Sequence, residues 1–229
     1  MDYKDLVYID IETAGFYPNL SSLKEDDIRG YDLFMRKLDR KSLQFLDWKE
    51  DPNDVYLNKS SLIPEFGRVV CVSMSRITKN DEIKMMSICD EDEEYIIKKT
   101  QQSLMNVSNN SLLGLSGFYI KGFDIPWLNR KMLKYGYIIP KILKTHSVKP
   151  WEMNVVDLAE VWKSLGTLEP VSFDEMLYSL NVDSPKDLMA GKDVHKYFWE
   201  TKELDKIQNY CEKDVMGCVK AAKKIVHLI

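Results

Sequence analysis

Two apolar rhythms run along the chain, and they change places near residue 120. Up to there, short apolar runs at strand spacing are cut by polar breaks: residues 6–11, 68–77 (RVVCVSMSRI), 83–88 and 111–120 (SLLGLSGFYI). One stretch among them differs. DEDEEYIIKKTQQSLMNV starts acidic and places apolar residues at Tyr95, Ile96, Leu104 and Val107, which predicts a helix. Beyond residue 120 the helical period dominates, over 126–135, 158–164, 173–179 and a long C-terminal segment from about Lys202. In that last segment Ile207, Cys211, Val215, Cys218, Val219, Ala222 and Val226 form one apolar stripe. Strands grouped early, with helices interleaved and following, predict an α/β fold in which helices pack on the faces of a sheet.

Between Phe16 and Arg68 the pattern weakens into about fifty polar and charged residues, an insertion at about 17–66. Residues 26–46 look helical, while the Pro-flanked WKEDPNDVYLNKSSLIPEF reads as a loop. There is no internal repeat and no low-complexity tract, so residues 1–229 are expected to form one domain carrying this insertion. No apolar run approaches the ~18 residues of a membrane span, and the N-terminus lacks the basic and apolar regions of a signal peptide. The four cysteines, Cys71, Cys89, Cys211 and Cys218, show no C-x-x-C spacing and sit in apolar or helical patterns. They are expected to be buried free thiols in a reducing compartment, and the expected location is the cytoplasm.

Charge changes the picture once the acids are located. A net charge of −4 speaks against a nucleic-acid partner, yet four carboxylates around two divalent ions would account for all of it. Basic residues, 26 Lys against 6 Arg, cluster in NRKMLKYG and KILKTHSVK, as solvated faces or as grips on a phosphate backbone. In LVYIDIETAGF, strand geometry puts Leu6, Tyr8, Asp10 and Glu12 on one face and Val7, Ile9 and Ile11 on the other. The two acids would lie roughly 6.5–7 Å apart along the backbone. A bound divalent metal and a solvated strand end both fit. In GFDIPWLNRKMLKYG, Asp124 suits a helix N-cap with Pro126 in the first turn. In IQNYCEKDVMGCVKAAKKI, Tyr210 and Asp214 stack one turn apart at the edge of the apolar stripe. A carboxylate there needs a partner, and Lys213 and Lys220 are candidates.

Taken in order, YIDIETAG, GFYIKGFDIPWLNRKMLKYG and YCEKDV resemble the motifs of the metal-dependent 3′–5′ exonucleases that carry four acids and a tyrosine (the DEDDy type), close to the exonuclease domains of family B DNA polymerases. NVVDLAEVWK and SPKDLMAGKDV are similar to that group's connecting segments, so the resemblance spans nearly the whole chain apart from the insertion. It implies a ribonuclease H-like fold, a mixed central sheet flanked by helices with the acids gathered at one edge. By position it makes Asp10, Glu12, Asp124 and Asp214 the ligands of two divalent cations, Mg²⁺ or Mn²⁺, and has Tyr210 orient the attacking water. Two such ions, about 3.5–4 Å apart, sharpen the nucleophile and stabilise the leaving oxygen, and hard oxygen ligands suit Mg²⁺. With no His or Cys counted among the motif ligands, zinc is not expected.

One departure bears on substrate. Relatives carry GHN where this chain has Gly117–Phe118–Tyr119, so Tyr119 stands where an amide would contact the terminal nucleotide. Tyr119 either stacks on a base, worth roughly 1–3 kcal/mol, or belongs to the core. The resemblance also places Thr13 and Phe123 beside the substrate. The expected activity is removal of nucleoside 5′-monophosphates from 3′ ends, with single-stranded DNA as first substrate and RNA as the alternative. The setting would be repair, replication or proofreading in trans, with replication or repair proteins as partners and no membrane. A catalytically silent nucleic-acid-binding or docking module is the reading from another class.

Overall fold

A computed structural model of the chain describes residues 2–39, 51–146, 148–149, 152–166, 169–184 and 189–229. Five strands form one mixed sheet: β1 (Leu6–Gly15), β2 (Gly67–Ile77), β3 (Ile83–Cys89), β4 (Gly114–Gly117) and β5 (Val155–Asp157), in the order β3-β2-β1-β4-β5. The first three pair antiparallel, while β4 lies parallel to both β1 and β5. Central β1 is covered on both faces, which is why its sequence is almost continuously apolar. Val7, Ile9 and Ile11 pack with Ile96, Ile97 and Leu104 of α4 (Glu93–Ser108) and with Leu128 and Met132 of α5 (Asp124–Lys134). Leu6 and Tyr8 pack on the other face with Leu158 of α6 (Leu158–Ser164), Leu177 of α7 (Phe173–Ser179) and Val215 and Val219 of α9 (Leu204–Lys224). The face division expected from the two-residue period is therefore present, with α9 on the side of Asp10 and Glu12. Helices on both faces of a mixed sheet match the expected α/β, ribonuclease H-like class.

Several elements depart from expectation. The segment read as a loop contains helix α3 (Pro52–Lys59), whose Asp51 caps it by accepting from the Asn53 N–H at 2.8 Å, with Pro52 in the first turn. The helix expected over 26–46 begins earlier and breaks at Asp27 into α1 (Leu20–Asp26) and α2 (Ile28–Asp39); the rest of that stretch, 40–46, lies outside the described residues. Strand β4 is only four residues long. It stops at Gly117, where a Cβ would come 2.5 Å from the carbonyl oxygen of Ile9, and Tyr119 then takes a left-handed turn at φ +58°. Three-residue β5 is too short to show a period.

The insertion builds a small core of its own. Phe34 of α2 meets Tyr56 of α3 and Phe66 edge-on, each at 5.2 Å between ring centres, and Leu20, Leu23, Val55 and Ile63 close the cluster. It is tied to the sheet by Lys131, 2% exposed, whose ammonium donates to the carbonyls of Pro64 (2.9 Å) and Gly67 and pairs with Glu93 at 3.2 Å. The Phe16 ring lies 4.3 Å from the same ammonium.

The cysteines also differ from expectation. Cys211 and Cys218 are free and buried, but Cys71 and Cys89 are joined as a disulfide. They are direct cross-strand partners in the β2–β3 ladder with Cα atoms 4.2 Å apart, a proximity that sequence spacing does not reveal. Among the described residues no helix is long and apolar enough to cross a membrane.

Candidate active site

Strand β1 leaves the sheet interior at its acidic end. A register shift between Glu12 and Thr13 marks a bulge there, which re-aims side chains locally. The strand's last residue is clamped from both sides. The Gly15 N–H donates to His195 Nδ1 at 2.9 Å, and the Gly15 carbonyl accepts from the Trp199 indole at 2.9 Å. His195 Nε2 lies 3.0 Å from the Pro18 carbonyl, so the ring is neutral with its proton on Nε2; burial holds its pKa below the usual value. This clamp sits on α8 (Val194–Lys196) and the π turn Tyr197–Thr201 that follows it.

Asp124 opens α5 as its first helical residue, with Phe123 at the cap position and no side-chain cap bond. The expected N-cap role is thus not what the carboxyl does. Asp124 Oδ1 accepts the Ile11 backbone N–H at 3.1 Å, reaching across to the strand between the two other acids. On α9, Tyr210 and Asp214 face this point from one helical turn apart, and the Tyr210 hydroxyl hydrogen-bonds the Asp214 carboxyl. The same helix turn brings in Cys211, whose thiol donates to Asp10 Oδ2 and to the Asp10 carbonyl, each at 3.4 Å. Asp10, Glu12 and Cys211 offer three donor atoms within 4.8 Å of one another. The third motif therefore carries a sulfur beside the acids, contrary to the expectation of oxygen donors alone. Its one signal in the sequence was the residue next to Tyr210.

The electrostatics of the cluster are those of charges without room. Burial, then Asp214, Glu12 and Asp124, push the Asp10 carboxyl well above its usual range. Burial, then Asp214 and Asp124, do the same to Glu12. Asp124 is lifted to about 7, mainly by burial and further by Asp157 and Asp214, against two backbone N–H groups that pull it down. Burial and the surrounding carboxylates raise Tyr210, so it remains a phenol and a hydrogen-bond donor. Such a cluster, rich in hard oxygen donors, fits a divalent cation.

Asp10, Glu12 and Asp124 open onto a cleft of about 900 Å³, near the upper end of the range for ligand sites. Asp214 and Tyr210 stand beside it, both buried. Tyr119 and Phe123 line it, together with Trp162 and Lys163 of α6. Tyr119 is 59% exposed, so of its two readings the core position is excluded. Its ring lies over Gly122, where a Cβ would meet it at 2.5 Å. Thr13 is placed differently from the other expected substrate residues. Its side chain is buried, and its Oγ1 donates to the Ser61 carbonyl at 2.6 Å. That bond anchors the turn Ser60–Leu62, which carries Leu62 into the cleft, a residue sequence reading missed.

Residues 60–219 match the family described as predicted 3′–5′ exonucleases related to the exonuclease domain of PolB. The matched span holds Asp124, Tyr210 and Asp214, while β1 with Asp10 and Glu12 precedes it and is brought to them by the sheet. No curated protein matches. The structure of the family B DNA polymerase from the hyperthermophilic archaeon Pyrobaculum calidifontis is similar over 96% of this chain and 24% of its own, with a TM-score of 0.57 and 16% identity. The structure of exonuclease I is similar over 96% of this chain and 40% of its own, with a TM-score of 0.45 and 10% identity. This chain thus spans less than half the length of either protein. The polymerase match shows a shared fold.

Proposed function

This chain belongs to the family of predicted 3′–5′ exonucleases related to the exonuclease domain of PolB, and on that premise we propose that it removes nucleoside 5′-monophosphates from the 3′ ends of single-stranded DNA. The observation that carries the proposal is the convergence of Asp10, Glu12, Asp124 and Asp214 at one end of β1, beside an open cleft with aromatic walls. Those four carboxylates would hold two divalent cations, Mg²⁺ or Mn²⁺. When bound, such ions make water a stronger nucleophile and stabilise charge on the leaving 3′-oxygen.

The chain's own groups do the rest. Tyr210, a buried phenol whose one proton goes to Asp214, would accept a hydrogen bond from the attacking water and so aim it along the line of the scissile bond. Asp124 keeps its carboxyl in register by accepting from Ile11, so the distance between strand and helix is set by a bond. Tyr119 and Phe123 offer ring faces to the terminal bases, contacts that tolerate any sequence. Replication or repair proteins are the proposed partners.

The test is digestion of 5′-labelled DNA and RNA oligonucleotides with Mg²⁺ or Mn²⁺. Shortening from the 3′ end with release of 5′-monophosphates is expected, faster on DNA. Preference for RNA would transfer the activity to the other sugar. Binding without any hydrolysis would make the chain a docking module, and degradation from the 5′ end would overturn the mechanism.

A further inference from the structure

Asp157 ends β5 and caps α6, and its carboxylate does more than a cap requires. It is 1% exposed and accepts three backbone N–H groups. Oδ1 takes those of Ala159 at 3.0 Å and Tyr119 at 2.9 Å, and Oδ2 takes that of Lys121 at 2.9 Å. The Ala159 bond is an ordinary N-cap. The other two reach a separate segment, the connection from β4 to α5. At the surface the same two segments are joined again, by Lys121 Nζ and Glu160 Oε2 at 2.6 Å.

Both segments line the cleft side by side, one with Tyr119 and Phe123, the other with Ala159, Trp162 and Lys163. Tyr119 holds a left-handed backbone conformation, which costs a non-glycine residue of order 1 kcal/mol or more and persists only where surroundings enforce it. The enforcing contact at its own N–H is Asp157. A buried carboxylate lost from this point would leave two amides of the Tyr119 segment without their partner, although β4–β5 pairing at Gly117 and the packing of Phe118 with Leu158, Val161 and Trp162 still join the segment to α6.

We propose that Asp157 is a positioning residue that fixes Tyr119 in the cleft relative to α6, holding its ring where a base of a single-stranded nucleic acid would stack. Its charge reaches Asp124, but its hydrogen bonds go to backbone amides. The inference rests on the exonuclease reading of the same cleft.

Asp157→Asn keeps one carbonyl oxygen for Tyr119 and Ala159 and turns an amide NH₂ against the Lys121 N–H. Its steady-state kinetics can be measured on a single-stranded oligonucleotide, which offers further bases to Tyr119, and on the p-nitrophenyl ester of thymidine 5′-monophosphate, which offers one nucleotide. The oligonucleotide KM should rise about tenfold, as the loss of one buried hydrogen bond allows, with kcat changed far less. The oligonucleotide kcat/KM should fall more than that of the ester. An equal fall on both substrates, or a fall in kcat alone, overturns the proposal. Amide hydrogen exchange of the wild type reads the tie itself, even should the variant fail to fold. Slow exchange at Tyr119 and Lys121 is expected, and exchange at the rate of an open loop refutes the clamp. A wild type that hydrolyses neither substrate, yet shows slow exchange at both amides, sinks the exonuclease reading and leaves the clamp standing.

Discussion

Replacing Asp124 by Asn should abolish hydrolysis and, without metal, stabilise the fold by an amount that grows with pH. Asp124 is 3% exposed, and its carboxyl is raised from 3.8 to about 7, chiefly by burial. A carboxyl held above its unfolded value binds more protons in the folded chain, so stability is lost as pH rises between those two values. At 1.36 kcal/mol per unit, that cost is about 2 kcal/mol at pH 5 and about 4 kcal/mol at pH 8. Asparagine cannot ionise, and its carbonyl oxygen still accepts from Ile11, the 3.1 Å bond that locates the residue. Urea unfolding in excess chelator should therefore show the variant ahead of wild type by ~2 kcal/mol at pH 5 and ~4 kcal/mol at pH 8. Adding Mg²⁺ or Mn²⁺ should close the gap by stabilising the wild type alone. A gain that is flat across pH, or a variant less stable at pH 8, would show that Asp124 is not a carboxyl strained by its neighbours.

Tyr210→Phe should slow hydrolysis by about 10–1000-fold with oligonucleotide binding little changed, because it loses only the aiming hydroxyl; single-turnover rates equal to wild type would remove Tyr210 from the mechanism. Mg²⁺ and Mn²⁺ should each support digestion and Ca²⁺ little, since its larger, looser coordination misplaces the water; turnover in excess chelator, or in Zn²⁺ alone, would count against the carboxylate site. Glu93→Ala removes the carboxylate paired with the buried Lys131 ammonium and should cost about 3–5 kcal/mol near neutral pH in chemical unfolding; an unchanged midpoint would refute a stabilising role for that pair. Deleting residues 21–58 removes Phe34, Val55 and Tyr56 from the cluster behind the Leu62 turn, and should shift oligonucleotide affinity or length preference more than the chemical step; an unaltered kinetic profile would leave the insertion without a role at the cleft.

How far the sequence could be read depended on how local the governing interaction is. Strands β1, β2 and β3 and helices α4, α6 and α7 carry their period in consecutive residues, so pattern alone located them. Helix α3 was hidden by residues that serve either a turn or a helix start: Asp51–Pro52 reads as a loop until Val55 and Tyr56 find the Phe34 cluster. Strand β4 ends at Gly117, two residues before the left-handed turn at Tyr119, a backbone conformation that its apolar run does not announce. The acids themselves were legible as a set, by resemblance. Their surroundings were not: the Asp124 bond to Ile11, the Cys211 thiol on Asp10 and the three amides on Asp157 all join segments that nothing in the local pattern links.

The acids arrive on the first strand, the fifth helix and the last long helix of the described chain, and this order has a consequence for synthesis. A nascent chain emerging from the ribosome lacks Asp214 and Tyr210 until α9 has been made, however well β1 and β2 have already paired. Closing so long a loop is entropically slow and belongs late in folding. On the exonuclease reading, a growing or truncated chain would thus be harmless to nucleic acid nearby. In the finished protein, a local opening that lifts α9 from β1 would disarm it while most of the sheet stays formed.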